Sequence, residues 1–372
     1  MFDSIPKHFF EVDAPQTKPF VGQNVLLIVG PDRKATHAQD VAEGLIQAGL
    51  KIEVCIEPGA ELYVGRDAFT AVGCKNVFVE KDFVEFSSQI SAPDFILGAG
   101  SSTAIFKQVC SRFSCPAFNT SDVTSLHLLD SSPATIGIVK SIIAKERGDL
   151  IGQKIVISAG GNRESIDSVR WLGNRSSGKQ GHAIAEAARD RGANVVLITS
   201  AVASTPAGLD KVIGVETHAE LKAAVDRECL DARVYIGTAA VADFSPFAPK
   251  VGKIERSAVS KLTLELLPTG DIIAGILPRP GLIKVAFSAE TGSDEDNLER
   301  ARRKLTEKTT DLVVLNDVLA SGIGFGASHN RVAVISKNGG ALYFPEDRTS
   351  SAHKYDVAMF VLERVKELYT IL

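Results

Sequence analysis

Short apolar runs alternate with amphipathic stretches along most of the chain. NVLLIVG (24–30) is rich in branched residues, which predicts a buried strand. HAQDVAEGLIQAG (37–49) carries Val41, Leu45 and Ile46 at helical spacing and stops at a glycine, which predicts a helix. KIEVCIE (51–57), NVFVE (76–80) and DFILGAG (94–100) predict further strands, and 103–113 and 134–146 further helices. The rhythm restarts after the charged, glycine-bearing stretch 145–153. Strands are expected at 154–160, 194–200, 234–240, 284–290, 311–317 and 331–336, with helices over 178–191, 217–228, 294–308 and 351–368. The 178–191 helix has Ile184, Ala187 and Ala188 on one face.

Alternating strand and helix implies parallel sheets with helices on both faces. The expected fold is therefore α/β, with two doubly wound parallel-sheet domains. Residues 1–20, with Pro6, Pro15 and Pro19, predict an irregular lead-in. The first domain is expected over 21–150 and the second over 151–372. That division suits a length of 372 residues.

Composition narrows the function. Lys plus Arg total 41 against 45 Asp plus Glu, a net charge of −4, so no basic excess exists to hold a nucleic acid. Apolar runs such as NVLLIVG fall far short of the roughly 20 residues a membrane helix needs. The first residues, MFDSIPKHFFEVD, carry acids and no apolar core segment, which speaks against a secretory signal. Five cysteines, at 55, 74, 110, 115 and 229, show no C-x-x-C spacing. Reduced thiols in a cytoplasmic protein are the expectation.

The densest polar cluster is SAGGNRESIDSVRWLGNRSSGKQG (158–181), between a strand and a helix. Gly160 and Gly161 allow a tight turn and a close approach of backbone to ligand. Ser176, Ser177 and Gly178 stand where the helix should open, where unpaired N–H groups and the dipole favour an anion. Arg163, Arg170, Arg175 and Lys179 add charge suited to phosphate or carboxylate. A capped helix with solvated cations would use the same residues. The segment is no Walker A loop, because Gln180 follows Lys179, and GGNRES does not supply G-x-G-x-x-G.

Two further clusters fall at strand ends, where open α/β sheets bind ligands. In TAAVADFSPFAPKVGKIERS (238–257), Asp243 could meet a ribose, a base amine or a metal. Lys250 and Lys253 lie in a Pro/Gly-rich stretch that predicts a mobile loop able to close over phosphates. AFSAET (286–291) and VLNDV (314–318) would aim Glu290, Asn316 and Asp317 into the same crevice. Between them, ARRKLTEK (301–308) sets Arg302, Arg303, Lys304 and Lys308 on a helix, a pattern also read as a solvated face.

Together these segments resemble phosphopantothenoylcysteine synthetase, the ligase half of the bifunctional coenzyme A biosynthesis protein. AGGNRESIDSVRWLGNRSSGKQG, AAVADF, KIER with LTLELLPTGDI, AFSAET and ARRKLTEKTTDLVVLNDV follow that family's motifs in order from about 154 to 366. The resemblance implies an acid–amine ligase. A carboxylate attacks the α-phosphate of CTP, pyrophosphate leaves, and an amine, cysteine by default, takes the acyl group from the acyl-cytidylate. By position, Asn174 matches the residue that handles the acyl-cytidylate and Lys253 the loop lysine of the activation step. Asp243 matches the cytidine site, and Phe287 and Ala239 would flank the base. Lys304 and Lys308 would approach the triphosphate, whose charge Mg²⁺ is expected to neutralise. Gly160, Gly161, Ser176, Ser177 and Gly178 complete the expected nucleotide set, and Arg170, Arg175, Asn316 and Asp317 are expected to hold substrate. A homodimer or higher homo-oligomer is implied.

Departures from the family pattern concentrate where a phosphorylated acid would be held. A KIKK-type loop has become Lys253-Ile254-Glu255-Arg256, and a K-x-P stretch Pro268-Thr269-Gly270. Asn162, Ser165, Ser168 and Gln180 also depart. These changes leave room for a different acid or amine, and a non-catalytic homologue is a further alternative. The first half matches the place of the flavin-dependent decarboxylase in bifunctional relatives. Its flavin loop is replaced by Gly30-Pro31-Asp32-Arg33-Lys34, and FVEFSSQISAPD and PAFNTSDVTSL stand where the catalytic histidine and PAMNxxMW segments would be. The resemblance thus implies a flavodoxin-like N-terminal domain and a Rossmann-like C-terminal one, and neither FMN nor decarboxylase activity is expected in the first.

Overall fold

The computed structural model describes residues 19–370, apart from 75, 80–91, 100–102, 114–116, 120–131, 257–260, 291–293, 318–322, 324–325, 338–339 and 348. The two segments expected to correspond to the decarboxylase's catalytic stretches therefore lie largely outside the described residues, as does nearly all of the lead-in. The chain divides into two compact units between Ile151 and Gly152, with Asp190–Gly192 belonging to the first.

In the first unit, β1 (Asn24–Val29), α1 (Ala38–Gln47), β2 (Lys51–Ile56), α2 (Arg66–Ala71), β3 (Asn76–Val79), β4 (Phe95–Ala99), α3 (Thr103–Arg112), β5 (Ala117–Asn119) and α4 (Ser132–Arg147) follow in turn. The parallel sheet runs in the order β3-β2-β1-β4-β5. Alternation along β1 shows why helices cover both faces. Val25, Leu27 and Val29 join a core with Leu45 of α1 and Val139 and Ile143 of α4, whereas Leu26 and Ile28 pack with Phe106 and Val109 of α3. The unit is doubly wound as expected. Its strand order follows the Rossmann pattern, not the flavodoxin order 2-1-3-4-5. Periodicity sets which segments are strands, but their order depends on which way each crossover turns.

The second unit comprises β6 (Lys154–Ala159), β7 (Arg163–Ser165), β8 (Trp171–Gly173), α5 (Lys179–Asp190), β9 (Asn194–Thr199), β10 (Lys211–Gly214), α6 (His218–Glu228), β11 (Val234–Gly237), β12 (Phe244–Pro246), β13 (Leu266–Pro268), β14 (Ile283–Glu290), α7 (Asp294–Glu307), β15 (Leu312–Asp317), β16 (His329–Asn330), β17 (Val332–Ser336), β18 (Ala341–Phe344), β19 (Ala352–His353) and α8 (Lys354–Glu367). Its main sheet has the order β10-β9-β6-β11-β14-β15-β17-β18. The first six strands follow the Rossmann order, which places the reversal of connection between β6 and β11. The β15–β17 and β17–β18 pairs are antiparallel, so the sheet is parallel only as far as β15. β17 and β18 pair antiparallel across a connection of four residues, a pairing that apolar periodicity alone does not register.

On one face Val156, Val196, Ile198 and Tyr235 pack with Leu221, Ala224 and Val225 of α6 and with Ala301 and Leu305 of α7. At the antiparallel end, Phe360 of α8 stacks on Phe344 of β18 at 4.9 Å between ring centroids. Three short pairings, β7–β8, β12–β13 and β16–β19, stand apart from the sheet and carry much of the site's surroundings.

Candidate active site

A cleft of about 640 Å³ opens at the C-terminal ends of β6, β11, β14 and β15. That is the position open α/β sheets give their ligands, and the volume suits a nucleotide-sized molecule. Asn174, Arg175, Ser176, Ser177, Gly178, Ala239, Asp243, Phe287, Lys304, Lys308 and Asn316 all line it. Segments more than 130 residues apart in sequence thus converge on one cavity, as the strand-end argument requires.

Gly160 and Gly161 do not line the cleft; they are confined by the protein itself. Gly160 has φ +87°, and a Cβ there would lie 2.2 Å from Ser200 Oγ. A Cβ on Gly161 would lie 2.7 Å from the Asn174 carbonyl oxygen. The Ala240 N–H donates to the Gly160 carbonyl at 2.8 Å, and Gly161 bridges Ala240. The two glycines therefore bring the Asn174 segment against the β11 exit. Asn174 Nδ2 donates to the Val241 and Ala240 carbonyls at 2.9 and 3.3 Å, which fixes that side chain in the cleft wall.

Asn162, one of the departures, is buried and acts as a brace. Its Oδ1 accepts from the Ala242 N–H at 2.6 Å and its Nδ2 donates to Glu164 at 2.6 Å. Glu164 also accepts from the Ser245 hydroxyl and the His218 N–H. The turn bearing Asp243 is thereby held from both sides. Asp243 is exposed and lines the cleft, and its carbonyl accepts from the Thr269 N–H at 2.9 Å.

Arg170 and Lys253 lie outside the cleft lining. Asp167 accepts backbone N–H groups from Val169, Arg170 and Ile254 at 2.8, 2.7 and 3.1 Å. Arg170 pairs with Asp167 at 2.8 Å and donates to the Ile254 carbonyl at 2.6 Å. Burial alone would raise the Asp167 carboxyl. The three N–H donors and the Arg170 guanidinium outweigh burial and hold it at about 2. The Lys250 N–H adds a bond to the Ile166 carbonyl at 3.0 Å. The lysine loop, expected to be mobile, is pinned at both 250 and 254 to the β7–β8 connection. Its Lys253 stays exposed, with Glu255 Oε1 4.0 Å away.

The α7 cations divide by face. Arg302 and Arg303 are exposed, with Arg303 facing Glu307 at 3.7 Å, so the solvated-face reading holds for them. Lys304 donates to Ser288 Oγ, and Lys308 pairs with Asp271 at 2.8 Å, both at the cleft wall. Burial alone would raise the Asp271 carboxyl. The Ala274 N–H and Lys308 outweigh it and hold it below its ordinary value. Asn316 also lines the cleft, and its buried Oδ1 has no hydrogen-bond partner among the described residues. Asp317 ends β15, but its side chain, like that of Glu290, lies outside the described residues.

Several lining residues carried no sequence signal. Tyr235 and Ser158 share a buried hydroxyl–hydroxyl bond of 2.9 Å at the cleft floor, and burial pushes the Tyr235 hydroxyl far up. Tyr235 looks like an ordinary apolar strand residue in VYIG; only the register opposite Val156 places it here. Asn330 and Lys354 come from the antiparallel end and match no motif. Among the described residues, no group of three or more His, Cys, Asp or Glu side chains is arranged to hold a metal. No helix of the described residues is long and apolar enough to cross a membrane.

Residues 150–369 match the model of the DNA/pantothenate metabolism flavoprotein C-terminal domain. The coenzyme A biosynthesis bifunctional protein CoaBC of Mycobacterium bovis is 41% identical over 202 residues, covering 51% of this chain and 48% of its own. The CoaBC protein of Bacillus subtilis is 39% identical over 221 residues, covering 59% and 52%. The crystal structure of a CoaBC C-terminal domain covers 61% of this chain and 100% of its own, at 31% identity and a TM-score of 0.49. The chain spans about half the length of the curated relatives it matches. With the family model covering more than half of its residues, including every segment of the cleft, the chain belongs to the DNA/pantothenate metabolism flavoprotein C-terminal domain family.

Proposed function

We propose that this protein is an acid–amine ligase that activates a carboxylic acid with CTP, releases pyrophosphate and passes the acyl group to an amine. The default substrates are 4′-phosphopantothenate and L-cysteine. One observation carries the reading: the family's dispersed motifs meet in a single cleft at the Rossmann reversal point. The CoaBC relatives are coenzyme A biosynthesis proteins, which supports the same substrates.

The chemistry follows from the wall. A carboxylate is a poor acyl donor, and joining it to the α-phosphate of a nucleotide supplies a phosphate ester as leaving group. Ser176, Ser177 and Gly178, at the start of α5, present backbone N–H groups and the positive helix end to phosphate oxygens. Lys304 and Lys308 add charge from the opposite wall. Phe287 and Ala239 offer apolar surface to a base, and the Asn316 Oδ1, without a partner among the described residues, accepts from a ligand N–H or O–H. Asn174, held by the 240–241 carbonyls, can position the acyl-cytidylate. Lys253, on its anchored loop, serves the activation step; Arg175 contributes on the acid side, and Arg170 acts by holding that loop through Asp167 and the Ile254 carbonyl.

Mg²⁺ would neutralise the triphosphate as pyrophosphate departs. The donor set suits an ion carried mainly by the substrate phosphates. Asp243 is a lining carboxylate without an ion pair among the described residues, which fits the one or two protein carboxylates such an ion takes. We further propose a homodimer, and a first unit without FMN or decarboxylase activity. Exposed Val169, Trp171, Phe244, Phe247 and Leu267 on the short hairpins support the dimer.

A second reading keeps the chemistry and changes the acid. Glu255 beside Lys253 places a negative charge where a phosphorylated acid would need a positive one. The test is pyrophosphate release with Mg²⁺ and CTP across a series of acids. Release with 4′-phosphopantothenate supports the default. Release only with an unphosphorylated acid supports the second reading.

A further inference from the structure

Two helices begin at one corner of the cleft, and each begins with a lysine. α5 starts at Lys179 and α8 at Lys354, and both residues line the cavity. Lys354 is only 6% exposed, an unusual place for an ammonium group at the positive end of a helix. Lys354 Nζ donates to the Ala327 carbonyl, and Lys179 Nζ to the neighbouring Gly326 carbonyl at 2.6 Å. Each lysine thus uses one of its three protons on a neutral acceptor. Among the described residues, neither forms an ion pair with a carboxylate. Asp356, in the first turn of α8, makes none with Lys354.

Hydrogen bonds tie the corner together. Gln180 Nε2 donates to the Lys354 carbonyl at 3.2 Å, and Gln180 Oε1 accepts from Asn330 Nδ2 at 3.0 Å. Asn330 is fully buried and accepts the Arg331 N–H at 2.9 Å. Gln180, a departure from the family pattern, therefore ties the start of α5 to the start of α8. Burial, and then the Lys179 charge, both push the Lys354 amine below its ordinary value. The corner holds two cations and two helix dipole ends, with no carboxylate paired to either cation among the described residues.

We propose that this corner binds phosphate oxygens of the nucleotide's departing pyrophosphate, with Lys354 as a nucleotide-binding residue and Gln180 as the residue that positions it. The assignment rests on the nucleotide reading of the cleft. An incoming polyanion supplies charge balance and further acceptors to both ammonium groups. Burial of Lys354 strengthens the interaction, because the attraction is less screened than at the surface.

Titration calorimetry of the full chain with CTP, CMP and inorganic pyrophosphate, in Mg²⁺, tests it. Lys354→Met should weaken CTP and pyrophosphate by about 10-fold or more, as expected for one lost charge-assisted contact, and leave CMP within about twofold. Lys354→Arg should restore most of the loss. Should Lys354→Met fail to fold, Lys179→Met is the second variant, with the same CTP-against-CMP split. Unchanged CTP and pyrophosphate affinity in the folded Met variants, or equal losses for CTP and CMP, would overturn the assignment while leaving the nucleotide cleft intact. A wild-type protein that binds neither CTP nor pyrophosphate would overturn the nucleotide reading and this assignment with it.

Discussion

Gly181 lies in the first turn of α5 and packs against β6. A Cβ placed there would sit 2.5 Å from Ala159 Cβ and 2.3 Å from Thr238 Oγ1. Carbon–carbon contacts settle near about 3.5–4.0 Å, so Gly181→Ala must move the helix start by about 1 Å. Such overpacking costs about 1–3 kcal/mol, and alanine's better helix propensity offsets about 1 kcal/mol of it. The net loss of about 0–2 kcal/mol would lower Tm by only about 0–8 °C for a domain of this size. The catalytic effect should be far larger. The displaced turn carries Ser176–Lys179, and a shift of about 1 Å in a positioning element can cost about 100-fold in rate. Thermal unfolding measured beside CTP-dependent pyrophosphate release separates the two effects. A variant with near-native Tm and a rate reduced by about 100-fold is expected. A folded Gly181→Ala protein with wild-type CTP affinity and rate would refute the claim that the start of α5 forms the nucleotide wall.

Asp167→Asn removes the charge that Arg170 and three N–H groups share, so trypsin should cut after Lys253 faster than in wild type; equal cleavage would show that the loop is held by other means. Buried Lys284 donates to the Ile273, Ile276 and Lys308 carbonyls and to Thr309 Oγ1, so Lys284→Met should cost about 2 kcal/mol and lower Tm by about 4–8 °C. Burial lowers the His182 pKa, while its Ser204 bond opposes the shift only in part. The unfolded chain therefore binds the proton more readily. The stability this group contributes is present above its ordinary value of 6.5 and lost as pH falls from there toward the lower folded value. A Tm profile below pH 6.5 should consequently flatten in His182→Gln relative to wild type.

Sequence periodicity located the strands of the parallel sheets because fully buried strands form continuous apolar runs. It did not resolve β10, whose Lys211, Val212 and Gly214 are exposed at the sheet edge. It also did not reveal the antiparallel end, where the direction of β17 is set by its connections and not by its composition. At the cleft, the residues found from sequence are those whose chemistry is local: glycines and serines at a helix start, carboxylates and amides at strand ends. The residues missed act through tertiary register. Tyr235 reaches the floor because β11 pairs with β6, and Lys354 reaches the corner because α8 returns beside α5. Arg170 illustrates the converse: its position in the motif suggested ligand contact, and its guanidinium engages the Ile254 carbonyl.

The most direct test is pyrophosphate release by the full chain with Mg²⁺, CTP, 4′-phosphopantothenate and L-cysteine, each omitted in turn, with ATP substituted for CTP in a parallel series. Release that requires CTP and the acid, with an amide product only when cysteine is present, is the predicted result. Absence of release with any acid, together with no measurable CTP binding, would contradict the assignment of this cleft as the activating site of an acid–amine ligase.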